Sequence, residues 1–273
     1  MKPEPFRTRG LIFVNSLSYI LIAYVTVFFV VNFLQGLFAT FYDIPAILFR
    51  DGLQFRADSQ DWWYDSVIVV FTSKLVVFLL LALIFYAIYH KSILYKGYLK
   101  LYFLWGSFLA FTFLLGEVLY GTLLGQGFHH ALSWLYIQDT GKLAFIVIIL
   151  IFYVAIAMVF SKAFIVSGNI YLASYNEGAL KTIFLYHMFF PYLVAMGVIT
   201  LLKLPEFPVV ELLSLYTGVL VFGILLFNMG KHARLFRQDE EPKPLFLDHK
   251  ALLVAVFLLA GFVVIFENGL HLG

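Results

Sequence analysis

Glu117 is the residue whose position most invites chemistry. It lies within an apolar run, about one turn from the run's predicted outer end. An ionisable group at bilayer depth costs about 2.5–3.5 kcal/mol on insertion scales, so such a residue is usually retained for a purpose. Gly106, Ala110, Phe113 and Glu117 fall on one helical stripe, at steps of four, three and four. Small residues on that stripe let a neighbouring helix approach closely, so Glu117 should face the bundle. It could serve as an ion, proton or metal ligand, or as a structural carboxylate satisfied by a neighbouring helix. Lys74 lies in the second run, about 12 Å below its outer end at 1.5 Å per residue. It could pair with Glu117 or snorkel to the headgroups. His187 precedes Pro191 by one turn, and a proline there leaves the His187 carbonyl without its helical partner. A kink with polar neighbours can mark a ligand site, or only shape packing.

His129 and His130 follow in Gly125-Gln126-Gly127-Phe128-His129-His130. Adjacent histidines on a helix point about 100° apart and rarely share a metal. A loop could bring one of them beside Glu117 and an Asp of the first connection, a set that zinc or another divalent ion would accept. A solvated interfacial pair is the plainer reading. Asp139 suits a helix cap in Asp139-Thr140-Gly141. Asn15, Ser16, Ser18 and Asn32 are candidates for hydrogen bonds between helices, and Glu267 and His271 for the interface. Cysteine is absent, which excludes disulfides, thiolate metal sites and a cysteine nucleophile. The sequence holds no HExxH, Walker A, GxSxG or dinucleotide fingerprint. No catalytic residue is assigned, and no cofactor is implied.

The elements that position these groups are transmembrane helices. Hydrophobic residues make up 63% of the 273, charged residues 12%, and mean hydropathy is +0.95. A soluble domain carries about 25% charged residues. This chain could not cover a sphere with polar groups, so lipid must be its outer solvent. A net charge of +2 gives no electrostatic case for nucleic acid. Seven apolar runs fall at approximately 11–35, 66–89, 98–121, 143–166, 182–202, 209–229 and 251–270, each near the roughly 20 residues that cross a bilayer. They are continuous rather than alternating, which selects helices over barrel strands. The first run is too long for a signal-peptide core and reads as a retained helix.

Lys and Arg set the expected orientation. Lys2, Arg7 and Arg9 precede the first helix; Lys91, Lys96 and Lys100 mark the second connection; Lys162 and Lys181 mark the fourth; Lys231, Arg234, Arg237, Lys243 and Lys250 mark the sixth. The odd connections are poorer, with Arg50 and Arg56 against five aspartates in the first, Lys142 in the third and Lys203 beside Glu206 in the fifth. The N-terminus is therefore expected in the cytoplasm and the C-terminus outside, in a multi-pass protein of a bacterial inner membrane. A loop at 36–65 would lie outside and a polar loop at 230–250 inside, within one transmembrane domain spanning 1–273. In the outer loop, Phe41, Ile44, Ile47, Leu48 and Phe49 could form a short interfacial helix, Leu53 to Arg56 a strand, and Trp62-Trp63 a belt anchor.

Tyr42-Asp43-Ile44-Pro45 through Arg50-Asp51-Gly52-Leu53, followed by Asp65-Ser66-Val67-Ile68-Val69-Val70-Phe71-Thr72-Ser73-Lys74-Leu75, resembles site-2-protease-type membrane metalloproteases. In that family a zinc helix is followed by a loop with strands, then by a helix opening on Gly-Pro. The resemblance covers about a third of the chain. Ser18-Tyr19-Ile20-Leu21-Ile22-Ala23-Tyr24 lacks the zinc motif, and Ser73-Lys74 stands in place of Gly-Pro. It implies that scaffold without its zinc chemistry, and no catalytic residue carries over.

Three functions remain. Sparse intramembrane charge and short loops favour first a non-enzymatic structural or interaction subunit that packs against other membrane subunits, with two alternatives. A small-solute or ion transporter would use Glu117, Lys74 and His187, and it predicts a water-filled cavity reaching Glu117. A degenerate, metalloprotease-like hydrolase predicts metal near His129, His130 and Glu117.

Overall fold

The computed structural model describes residues 5–92, 97–171, 177–233 and 246–272. The 234–245 part of the expected inner loop, with Arg234, Arg237 and Lys243, lies outside the described residues, as do Lys2 and Lys96. Among the described residues, seven helices are long and apolar enough to cross a membrane. Hydrocarbon offers backbone groups no water, so each apolar run satisfies its own amides by coiling.

The first crossing is α1 (Pro5–Thr40), followed by strands β1 (Ala46–Leu48) and β2 (Leu53–Phe55). Then come α2 (Tyr64–Ser92), α3 (Leu99–Leu124), the short α4 (Phe128–Trp134) and α5 (Asp139–Ser167). The fifth crossing is a composite of α6 (Glu177–Thr182), a π-helical stretch (Ile183–Phe189) and α7 (Phe190–Leu202). Helices α8 (Val209–Ala233) and α9 (His249–Glu267) and strand β3 (Leu270–Leu272) complete the chain. The wide π turn sits just before Pro191, where an ordinary i→i−4 bond is impossible.

Helix α3 is the axis of the bundle, with 72% of its apolar window buried against 22% for α5 and α9. The outer helices present Leu80, Leu83 and Ile84 of α2, Ile151 and Phe152 of α5, and Phe257 and Val264 of α9 to the surroundings. Such continuous apolar faces require lipid. Around α3 the core is aromatic. Trp105 meets Phe164 at 4.7 Å between ring centres, and Phe108 meets Phe222 at 5.3 Å. Gly116 lets α8 pass so closely that an added Cβ would collide with the Ser214 backbone.

The first connection contains no interfacial helix at Phe41 to Phe49. Ala46–Leu48 is instead the central strand of a three-stranded antiparallel sheet ordered β2-β1-β3. Pro45 lacks an N–H and biases Ile44 away from helix, and β3 supplies partners that a lone interfacial helix would not have. Ile47 pairs with Gln54 on one side and His271 on the other. Six crossings separate β1 from β3, an even number, which puts both at the same end of the bundle. Asp139 is the first residue of α5 rather than its cap; Gln138 takes the cap position and makes no side-chain cap bond. Ser18 and Asn32 bond to the carbonyls of Val14 and Phe28 in their own helix, while Asn15 and Ser16 do reach other elements.

Candidate functional site

The α3 stripe carries Glu117 into the bundle, where the residue is 5% exposed. Its Oε2 accepts from Lys74 Nζ at 2.8 Å, and its Oε1 from the Phe128 amide at 3.3 Å. Gly127 makes the second contact possible: its φ is +55°, and a Cβ there would overlap Glu117 Oε1. Lys74 is the more open partner, with 24% of its side chain exposed.

A second ion pair lies alongside. Lys203 is fully enclosed, with Nζ 2.9 Å from Glu211 Oε2 and 3.8 Å from the centre of the Phe28 ring. Burial pushes the Lys203 pKa down, and the Glu211 charge opposes that shift. The Tyr24 hydroxyl donates to Glu211 Oε1 at 2.8 Å. The sequence places Lys203 next to Glu206, but Glu206 is exposed and the partner is eight residues on, across a turn rich in proline. No helical spacing could signal that pair. Lys74, Glu117 and Glu211 meet around an inner chamber of about 20 Å³, which also touches Phe28, Phe113 and Ser214. That is room for about one water.

Above the chamber, a cavity of about 380 Å³ reaches the same three charged groups. Asn32 and Gln35 of α1, Asp51 and Phe55 of the first connection, Phe71 of α2 and His130 of α4 complete its principal wall. The hairpin aims Asp51 there: Phe49 and Gly52 exchange backbone bonds at 2.9 and 3.2 Å, and β1 and β2 hold the turn. Phe55, Phe71 and Trp62 form an aromatic cluster, with Phe55 and Phe71 edge to face at 5.8 Å.

His130 therefore joins the cavity, its ring 5.0 Å from that of Phe71. Burial lowers its pKa from the ordinary 6.5, and neighbouring His129 adds to the shift. The two rings are 6.3 Å apart. Among the described residues no three His, Asp or Glu side chains come together as metal ligands.

His187 belongs to a different cluster. It contacts Ser16, whereas the cavity reaches Asn32 on the same helix, sixteen residues or about 24 Å along. Ser16 Oγ donates to the His187 carbonyl at 2.7 Å, the group Pro191 leaves without its helical partner. That uses the only Ser16 proton. The His187 Nδ1, 2.8 Å from Ser16 Oγ, must then be the donor, and Nε2 and the Phe164 carbonyl, 2.8 and 2.7 Å from Ser167 Oγ, compete for the one Ser167 proton. The indole of Trp105 also donates to Ser16 Oγ, at 3.3 Å. Every polar atom of the His187 ring is thus engaged in joining α1, α3, α5 and the fifth crossing. Compared with known proteins, the chain matches no family model, no curated protein and no solved structure.

Proposed function

We propose that this integral membrane protein admits a small polar solute or ion through its cavity to the Lys74–Glu117 pair, as a transporter or solute-binding protein does. One observation carries the reading: a cavity of about 380 Å³ reaches two ion pairs inside a bundle whose outer helices present apolar faces. Charged groups at that depth are costly, and sites for solutes and ions are where membrane proteins retain them. The Lys and Arg distribution supports a mouth facing away from the cytoplasm. A metalloprotease-like reading would need a metal triad, and none gathers among the described residues. The structural-subunit reading draws on no comparable feature.

The absence of native cysteine makes the test direct. Asn32→Cys, in otherwise unaltered protein, should react with a charged, membrane-impermeant maleimide added to one side of sealed vesicles. A control at lipid-facing Ile151→Cys should stay unlabelled. Failure to label Asn32→Cys from either side, in folded protein, would sink the proposal. A stoichiometric partner seated over the mouth after purification from native membrane would replace it with the subunit reading.

A further inference from the structure

We infer that the occupant of the cavity is a small organic cation, an ammonium group carried on an apolar body; this rests on the solute-binding reading above. The first support is the polarity of the wall. Asn32 and Gln35 are 7% and 4% exposed, and each spends an amide N–H on a backbone carbonyl, Phe28 O at 2.8 Å and Val70 O at 3.3 Å. Their amide oxygens have no partner among the described residues, and both side chains line the cavity. Ser214 likewise donates to Val210 O at 2.6 Å, which leaves its lone pairs to the inner chamber. Ser214 has spent its only proton and each amide one of its two, so the unpartnered oxygens of all three are acceptors awaiting a donor.

Charge points the same way. Three carboxylates, Asp51, Glu117 and Glu211, line the cavity against one ammonium, Lys74; Lys203 beside Glu211 is the second. His130 is held toward its neutral form, and neither Arg50 nor Arg56 belongs to the lining. One negative charge is left over, and Asp51, which accepts a hydrogen bond from Gln54 at 3.2 Å and lies within electrostatic reach of Lys203, has no ion-pair partner of its own among the described residues. The wall's apolar part then selects among cations. Phe55 and Phe71 put aromatic rings into the same wall as the acceptors, which favours an ammonium with a hydrocarbon body over a bare alkali ion. The volume lies in the range of small-molecule sites. Lys74 sits where the ammonium would arrive, so an incoming cation competes with it for Glu117.

Three probes of one shape decide the matter by titration calorimetry on the full chain in lipid nanodiscs: benzylammonium, benzoate and benzyl alcohol. Benzylammonium should bind and the other two should not. Asp51→Asn should weaken it by about two- to fivefold, within the range for losing one partly exposed ion pair. Lys74→Gln should tighten it, because Glu117 loses its internal competitor; an anion site would instead be abolished by that change. Preference for benzoate, equal binding of all three, or displacement of benzylammonium by equimolar sodium would each overturn the inference. Binding of none by protein whose Asn32→Cys variant still labels would overturn it and leave the cavity reading standing. Failure of that labelling removes both. Monodisperse elution of each variant establishes that it folds.

Discussion

Lys203 shows why the ion pairs are structural commitments as well as candidate chemistry. Its ammonium has no exposure, and Glu211 and the Phe28 ring are its compensation. Removing one member of a buried pair leaves the other charge uncompensated, at about 3–5 kcal/mol, whereas replacing both with apolar groups is often close to neutral. Glu211→Gln should therefore lower the thermal midpoint in detergent sharply, and Lys203→Met combined with Glu211→Gln should recover most of the loss. A double variant no more stable than Glu211→Gln would show that Glu211 acts mainly through Tyr24. His130 supplies a prediction with a sign. Burial and His129 hold its pKa below 6.5, so it is neutral at pH 7 and gains charge only on acidification. The groups lining the space it faces are Lys74 of α2, Glu117 of α3, Glu211 of α8 and Asp51 of the hairpin, with His129 on its own helix. A proton on His130 adds positive charge to the cavity. Binding of benzylammonium should be flat above about pH 7 and should weaken as the pH falls below the ordinary histidine value of 6.5; His130→Gln should flatten part of that fall.

At the scale of elements, the sheet and the fifth crossing repay attention because each links distant segments. Leu272, at the end of β3, packs against Gly36 of α1 and is 7% exposed. Its strand pairs with β1, which in turn holds the hairpin that carries Asp51. Leu272→Asp buries an unpaired carboxylate and should release β3. Trypsin should then cut at Arg50 and Arg56 faster than in the native protein, while Leu272→Ile should behave like native; equal rates for all three would show that β3 does not brace the hairpin. The fifth crossing makes the complementary point. Pro191 announces in the sequence that the His187 carbonyl will lack its helical partner, but Ser16, which satisfies it, is 171 residues away.

For the molecule as a whole, lipid exposure and site burial divide the helices by role. Helices α5 and α9 lie at the rim, α3 at the centre, and α1 runs through both ends, touching the His187 cluster through Ser16 and the cavity through Asn32 and Gln35. The seven crossings were readable from the chain because hydrophobic length is a local property: a run of about 20 apolar residues needs no partner to be committed to the bilayer. The direction of Glu117 was readable for a related reason, since Gly106 and Ala110 on its stripe set the face on which a neighbour could approach. Tertiary structure alone decided the rest. Lys74 meets Glu117 across 43 residues, Lys203 passes over Glu206 for Glu211, and β3 returns to β1 from the far end of the sequence. His187, grouped with Glu117 on residue type, is held about 24 Å away along α1. The physical reason is common to all four. A buried charge or an open strand takes its energy from the partner that satisfies it, and that partner is set by how helices pack, which no local pattern encodes.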